Sequence, residues 1–244
     1  MYDIHCHIIP GVDDGADSIS EAVEMLNIAA SNRTKGIICT PHSNIPQSFG
    51  NYWDEKLEEK FNAISQEIRK RNIPIEIYKG HEAFMAGDFL GHIRNGELIT
   101  LNNSEYILVE FHPLEKESSA YKKLALLTAE GYKPIVAHPE RYAFVIEQED
   151  AVANIKEIGC LIQMNKGSLK GRFGHAVMHT AHRILENRSA DFVASDAHSP
   201  YRRTPNLTDV HEMISTEYSA DYADYLLKIN PHNVILNKPI FDYR

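Results

Sequence analysis

Short, near-continuous apolar runs alternate along this chain with longer stretches in which apolar residues recur every three or four positions. The runs Tyr2–His5, Gly36–Thr40, Ile75–Lys79, Tyr106–Glu110, Pro134–His138, Cys160–Met164 and Phe192–Ser195 are rich in Val, Ile and Leu. That is the signature of parallel strands covered on both faces. Ser18-Ile19-Ser20-Glu21 reads as a capping box, a hydroxyl followed three positions on by a carboxylate. It opens a predicted helix whose Ile19, Val23, Leu26 and Ala30 share one face. Tyr52–Arg71 repeats the pattern through Leu57, Phe61, Ile64 and Ile68, and further helices are predicted over Ala120–Glu130, Glu149–Ile158, Gly174–Asn187 and Asn206–Leu227.

Seven such strand–helix alternations predict an α/β fold, a distorted seven-stranded (β/α) barrel of the TIM type. The alternative is an open doubly wound sheet, which would carry a Gly-rich turn after its first strand. His5-Cys6-His7 stands there instead. With no internal repeat, low-complexity tract or linker, residues 1–244 read as one domain.

Composition narrows the function. A formal charge of −9 argues against a nucleic-acid footprint and against docking on anionic lipid. No stretch nears the ~18 apolar residues of a membrane span, so direct membrane insertion is not expected. Three cysteines, Cys6, Cys39 and Cys160, are an odd number in a chain large enough to do without disulfides, which reads as reduced and cytoplasmic. None of them has an Arg six positions on, where Val12, Ile45 and Lys166 stand, so a cysteine-nucleophile phosphatase is excluded. No Gly-rich phosphate loop is present.

Thirteen histidines invite a search for metal ligands. His5 and His7 end the first run, His42 follows the second, Glu82 follows the third, Glu110 ends the fourth and His138 the fifth, and Asp196 and His198 close the seventh. In a parallel barrel the carboxyl ends of all strands meet on one face, so these eight side chains are expected to converge. On extended backbone the H-x-H and D-x-H pairs each point one way. Imidazoles with carboxylates suit Mn, Fe or Zn, and the lack of paired thiolates disfavours a closed structural zinc site. Eight ligands exceed the need of one ion, which points to two or three.

Cys6, between the two histidines, is expected to point away into the core. His175, His179 and His182 share a helical spacing but fall mid-helix, away from the strand ends. Arg141 and Arg203 lie in loops on the presumed active face, where a planar guanidinium suits phosphate or carboxylate.

These residues carry a resemblance. Asp3-Ile4-His5-Cys6-His7, Val12-Asp13-Asp14-Gly15, Thr40-Pro41-His42, Gly80-His81-Glu82, Leu108-Val109-Glu110-Phe111, Ala137-His138-Pro139-Glu140-Arg141-Tyr142, Gln163-Met164-Asn165 and Ala194-Ser195-Asp196-Ala197-His198 run in order over nearly the whole chain. Together they resemble the polymerase-and-histidinol-phosphatase (PHP) superfamily. Within it the chain is similar to the bacterial protein tyrosine phosphatases of capsule and exopolysaccharide operons. The resemblance implies a distorted seven-stranded barrel and a trinuclear centre, often manganese, on the eight residues named above, with Arg141 and Arg203 binding phosphate. Asp14 belongs to the matching Asp13-Asp14-Gly15 stretch, which is equally a tight turn feeding the Ser18 cap. His81 departs from the small or apolar residue expected before Glu82.

The activity so implied is hydrolysis of phosphotyrosine, with the ions lowering the pKa of a water and the arginines offsetting phosphoryl charge. The partner implied is a cytoplasmic bacterial tyrosine kinase with a Tyr-rich tail. Competing readings are another PHP phosphoesterase (histidinol-phosphate phosphatase or an exonuclease), an amidohydrolase with a metal-bridging lysine such as Lys79 or Lys166, and a non-catalytic regulatory protein that keeps the fold.

Overall fold

The computed structural model describes residues 1–243. Nine strand segments carry the fold: β1 Tyr2–Cys6, β2 Gly36–Cys39, β3 His42–Ser43, β4 Glu76–Lys79, β5 Glu82–Phe84, β6 Tyr106–Glu110, β7 Lys133–Ala137, β8 Leu161–Asn165 and β9 Phe192–Ala194. They form two sheets of order β1-β2-β4 and β3-β5-β6-β7-β8-β9, and every pairing is parallel. Beyond β9 the chain meets β1: Asp196 N donates to His5 O and His7 N to Ala197 O, both at 2.9 Å.

Seven of the segments match the expected runs to within a residue at each end. The two short strands β3 and β5 were not predicted. Pro41, which lacks an N–H, interrupts the ladder after β2, and pairing resumes at His42. Gly80 and His81 separate β4 from β5, and Glu82 pairs beside His42.

The sheet curls, and its inner layer shows why. Ile4, Ile38, Leu108, Ile135, Phe192 and Ala194 pack in one buried cluster. Strands β2 and β7 are neighbours in neither sheet, so their side chains meet only across a concave face. Outside, helices cover the strands through two further apolar clusters. A register shift between Asp3 and Cys6 places Ile4 in the inner cluster and Cys6 in an outer one, fully buried. Cys6 therefore points away from the histidines, as expected.

The helices agree in place and differ in detail. The first spans Ile19–Ser31 with Ser18 Oγ accepting from Glu21 N, but the Glu21 carboxylate accepts from Asp17 N, one residue short of a true capping box. Its buried face is Ala22, Val23, Met25, Leu26 and Ala29, while Ile19 is exposed. The second begins at Glu55 under an Asp54 cap, which frees Tyr52 and Trp53 to pack beside the cluster-bearing loops. The predicted Asn206–Leu227 helix is broken. Thr208–Glu217 ends at Tyr218, and Ser219, extended, caps a new helix over Ala220–Asp224 through Tyr222 N. A π-helical turn follows over Tyr225–Ile229. A serine hydroxyl competing for backbone N–H is the physical cause. No helix among the described residues is long and apolar enough to cross a membrane.

Candidate metal centre

The carboxyl end of β1 sets the first two donors. His5 Nε2 and His7 Nε2 lie 3.1 Å apart, so both rings aim at one point, as the two-residue strand repeat requires. Each ring is oriented from behind. The Nδ1–H of His5 faces Gln163 Oε1 at 2.7 Å and that of His7 faces Asp13 Oδ2 at 2.7 Å. His198 Nδ1 faces the Asp196 carbonyl at 3.0 Å. With Nδ1 donating to an oxygen, the tautomer leaves the Nε2 lone pair open in all three.

The carboxylates fill the space between the rings. Glu82, on β5, has Oε1 at 3.2 Å from His5 Nε2 and 2.9 Å from His138 Nε2, and Oε2 at 2.8 Å from His42 Nδ1 and 3.4 Å from His7 Nε2. Asp196 Oδ1 stands 3.5 Å from His5 Nε2, 3.4 Å from His7 Nε2 and 3.6 Å from His198 Nδ1. Glu110, last in β6, reaches His42 and His138 at 3.5 and 3.7 Å. All eight sequence-predicted positions are thus brought together.

Two of them depend on backbone that a period-two pattern does not contain. His138 (φ 35°) and Asp196 (φ 49°) occupy the left-handed region, uncommon for residues other than glycine. Each follows its strand by one or two residues and turns its side chain inward there. Strain of this kind persists only where the surroundings enforce it, and it concentrates at functional sites.

The donors fall into four overlapping sets, each with ligand atoms within 4.8 Å of one another: His7, Asp14, His42 and His198; His5, His7 and Asp196; His5, Glu82 and His138; and His42, Glu82 and Glu110. Sharing of His5, His7, His42 and Glu82 between sets makes one connected cluster. Asp14 joins it from a half-exposed rim, with Oδ1 3.3 Å from His198 Nε2 and 3.5 Å from His42 Nε2. Glu82 Oε2 and His42 Nδ1, though 2.8 Å apart, are not aligned for a hydrogen bond, and with buried His198 Nε2 they have no hydrogen-bond partner. Buried polar atoms left unpaired are costly, and a cation would satisfy them.

Burial acts to lower His5, His7 and His42, but the carboxylates of Glu82, Asp196 and Asp13 among them raise all three. Burial and the neighbouring Glu82 charge push Glu110 up to about 8. Burial acts to raise the Asp196 carboxyl too, but His5, His7 and Arg203 together hold it well below the usual carboxylate range. Burial, with the Arg141 charge beside it, takes His138 down to about 4 and keeps its ring neutral. Divalent ions bind neutral imidazoles and ionised carboxylates, so they would take the place of the protons that His5, His7, His42 and Glu110 otherwise hold between them.

Arg141 and Arg203 stand at the edge of this cluster. Arg141 ends a short turn after His138, lies 3.6 Å from Asp196 Oδ2 and stacks its guanidinium on Phe173 at 4.7 Å. Arg203 is folded back toward the strand ends because its carbonyl accepts from His198 N and Ser199 N. Its Nε donates to the Asp196 carbonyl at 3.1 Å, and its Nη2 pairs with the Asp196 carboxylate. His81 turns the other way. Burial drives it down to about 3, its Nδ1 accepts from Ile99 N, and Trp53 packs against it edge-on. It packs behind the centre and does not join it. His182 bonds Tyr218 and the Leu169 carbonyl, remote from the centre. Lys79 pairs with Glu58, and Lys166 donates to the Asn206 carbonyl, so neither bridging lysine of an amidohydrolase is among the donors.

Sequence reading missed the residues that orient the donors. Asp13, taken as a turn residue, also accepts from His42 N, and Asn165 Nδ2 donates to Asp196 Oδ2. Their signal was present: Gln163 and Asn165 repeat the two-residue spacing at the end of β8. Gly15 is required by closeness. A Cβ there would lie 2.2 Å from His7 O and 2.6 Å from His7 Cβ. Gly15→Ala is therefore expected to lower stability by roughly 1–3 kcal/mol, read from a denaturant titration.

The family model described as "Capsular polysaccharide synthesis, CpsB/CapC" matches residues 1–236. Tyrosine-protein phosphatase YwqE of Bacillus subtilis is 32% identical over 244 residues, 99% of this chain and 94% of that protein. Tyrosine-protein phosphatase CpsB of Streptococcus agalactiae serotype V is 27% identical over 252 residues, 97% of this chain and 99% of that one. A chain from the crystal structures of YwqE from Bacillus subtilis and CpsB from Streptococcus pneumoniae, described as unique metal-dependent tyrosine phosphatases, superposes with a TM-score of 0.91 at 30% identity, over 100% of this chain and 97% of that one. Histidinol phosphate phosphatase from Lactococcus lactis gives 0.53 at 14% identity over 93% and 94%, a likeness of fold alone. The curled parallel sheet, the cluster at its carboxyl end and a match over nearly its whole length establish that this chain belongs to the CpsB/CapC capsular polysaccharide synthesis family.

Proposed function

We propose that this chain is a metal-dependent protein-tyrosine phosphatase that acts on a phosphorylated bacterial tyrosine kinase in the cytoplasm and so regulates capsular or exopolysaccharide synthesis. The observation that carries the reading is one connected set of imidazole and carboxylate donors with two arginines on its edge, in a chain of this family. Residues 1–244 are taken as one domain. Its strands are read as a distorted seven-stranded barrel, with β2 and β3, and β4 and β5, each counted as one interrupted strand.

His5, His7, His42, Glu82, Glu110, His138, Asp196 and His198 would hold two or three divalent ions, manganese first and Fe, Zn or Mg as alternatives. Bound ions would supply an activated water at neutral pH and offset phosphoryl charge. Arg141 and Arg203 clamp the non-bridging phosphate oxygens, an arrangement suited to a planar guanidinium. Asp14, kept ionised chiefly by the His198 ring beside it, is assigned to passing a proton between the reacting water and solvent. The tyrosine leaving group has a phenol pKa of ~10, so it departs without strong acid assistance.

Two aromatic rings support tyrosine over histidinol as the leaving group. Phe49 lies parallel to His42, centroids 5.8 Å apart, and Phe173 sits under Arg141. Both offer apolar area to a phenyl ring beside the phosphate. The assay is phosphate release from a phosphotyrosine peptide and from histidinol phosphate, side by side, in the manganese-loaded protein. Faster turnover of the peptide is expected; a preference for histidinol phosphate would reassign the substrate.

Gln163 and Asp13 hold His5 and His7 from behind. Gln163→Leu is expected to lower metal affinity by about 10–100-fold with little change in the unfolding midpoint, measured by metal titration of the stripped protein.

A further inference from the structure

Next to Arg203 the loops after β8 and β9 enclose a groove of about 480 Å³, lined by Asn165, Lys166, Lys170, Arg172, Arg202 and Arg203 among others. Its charge runs against that of the chain, which is −9 overall. Lys166, Lys170, Arg172 and Arg202 have one carboxylate between them, Asp209, which is 2.5 Å from Lys170 Nζ and 4.0 Å from Lys166 Nζ. Among the described residues Arg172 and Arg202 pair with no carboxylate. Arg172 instead donates to the Arg202 carbonyl at 2.5 Å and ties the two loops together. Lys166, almost wholly buried, donates to the Asn206 carbonyl.

The groove is continuous with the phosphate site, because Asn165 and Arg203 line it and both bond Asp196. Uncompensated positive charge in a recess focuses the field and raises the local concentration of anions. A recess of this volume accepts a side chain, whereas a lipid surface calls for a broad, flat basic face.

We propose that this groove is a subsite for a second anionic side chain on the peptide substrate, near the phosphotyrosine being hydrolysed. The inference rests on the tyrosine-phosphatase reading above. The anion is a carboxylate or a second phosphate, and both would meet the same lysine and arginine groups.

Three peptides with one hydrolysable phosphotyrosine position separate the sources: neutral flanks, Asp/Glu flanks, and a flanking non-hydrolysable phosphotyrosine mimic. They are assayed with the manganese-loaded protein and with Lys170→Gln/Arg202→Gln, a variant that leaves Arg172 and the metal-bearing strand ends untouched. Wild type is expected to show a KM about tenfold lower for at least one anionic peptide than for the neutral one. The advantage should shrink on raising salt from 0.05 to 0.5 M, as screening requires. In the double variant it should fall to about twofold or less, with kcat and p-nitrophenyl phosphate turnover retained. Preference for the Asp/Glu peptide assigns a carboxylate, and preference for the mimic assigns a phosphate. Equal KM values in wild type, or a preference that survives in the variant, would overturn the subsite. So would binding to anionic vesicles that the variant loses without any discrimination among peptides. No turnover of any peptide or of p-nitrophenyl phosphate would instead overturn the phosphatase reading itself.

Discussion

Asp196→Ala is expected to remain folded and to hydrolyse p-nitrophenyl phosphate at least about 10³-fold more slowly than the parent chain. Asp196 is where the donors and the arginines meet. Oδ1 faces His5, His7 and His198, and Oδ2 faces Arg141, Arg203 and the amide of Asn165. Its loss takes a ligand from the cluster and frees Arg203 from the anchor that aims it. The inner apolar layer of Ile4, Ile38, Leu108 and Ile135 lies beneath and is untouched, so the far-ultraviolet spectrum and unfolding transition should be retained. His5→Ala should behave alike, since His5 belongs to two of the four donor sets. Metal content measured on each variant separates loss of ions from loss of chemistry. Turnover unchanged in either variant would sink the assignment.

The second large effect is expected from the arginines. Arg141→Ala should lower kcat/KM by about 10²–10³-fold, the range for removing one preorganised donor to developing charge. Arg141→Lys should recover only part of it, because an ammonium cannot make the paired contacts of a guanidinium. Arg141 is further anchored by Phe173 and Arg203 by the Asp196 carbonyl, but both meet the same Asp196 Oδ2, which couples them. If both bind one phosphate, the double alanine variant should lose less than the product of the single losses. Full multiplicative loss would mean that they serve separate steps.

The donors were legible because parallel strands deliver their carboxyl ends to one face, so a His or carboxylate at each strand end reads as part of one centre. His5 and His7 needed only strand periodicity. His138 and Asp196 were placed correctly by position, but the left-handed backbone that turns them inward leaves no mark on an apolar pattern. The orienting residues were hidden for another reason. His5 is held by Gln163, 158 positions away, and no local rule pairs them. Asp13 shows the opposite failure: a local rule, the tight turn, fully accounted for it and concealed its bonds to His7 and His42 N. The broken C-terminal helix was missed because its apolar spacing continues through Ser219, while the hydroxyl decides locally for a cap. The split strands β3 and β5 are too short for any periodicity to report.

The central claim is that this centre works through bound divalent ions. Its most direct test is phosphate release from a phosphotyrosine peptide by chelator-stripped protein, before and after manganese is returned, with the ions counted per chain by elemental analysis. The account predicts that stripping abolishes turnover and that two or three ions per chain restore it. Full turnover by the metal-free protein would contradict it.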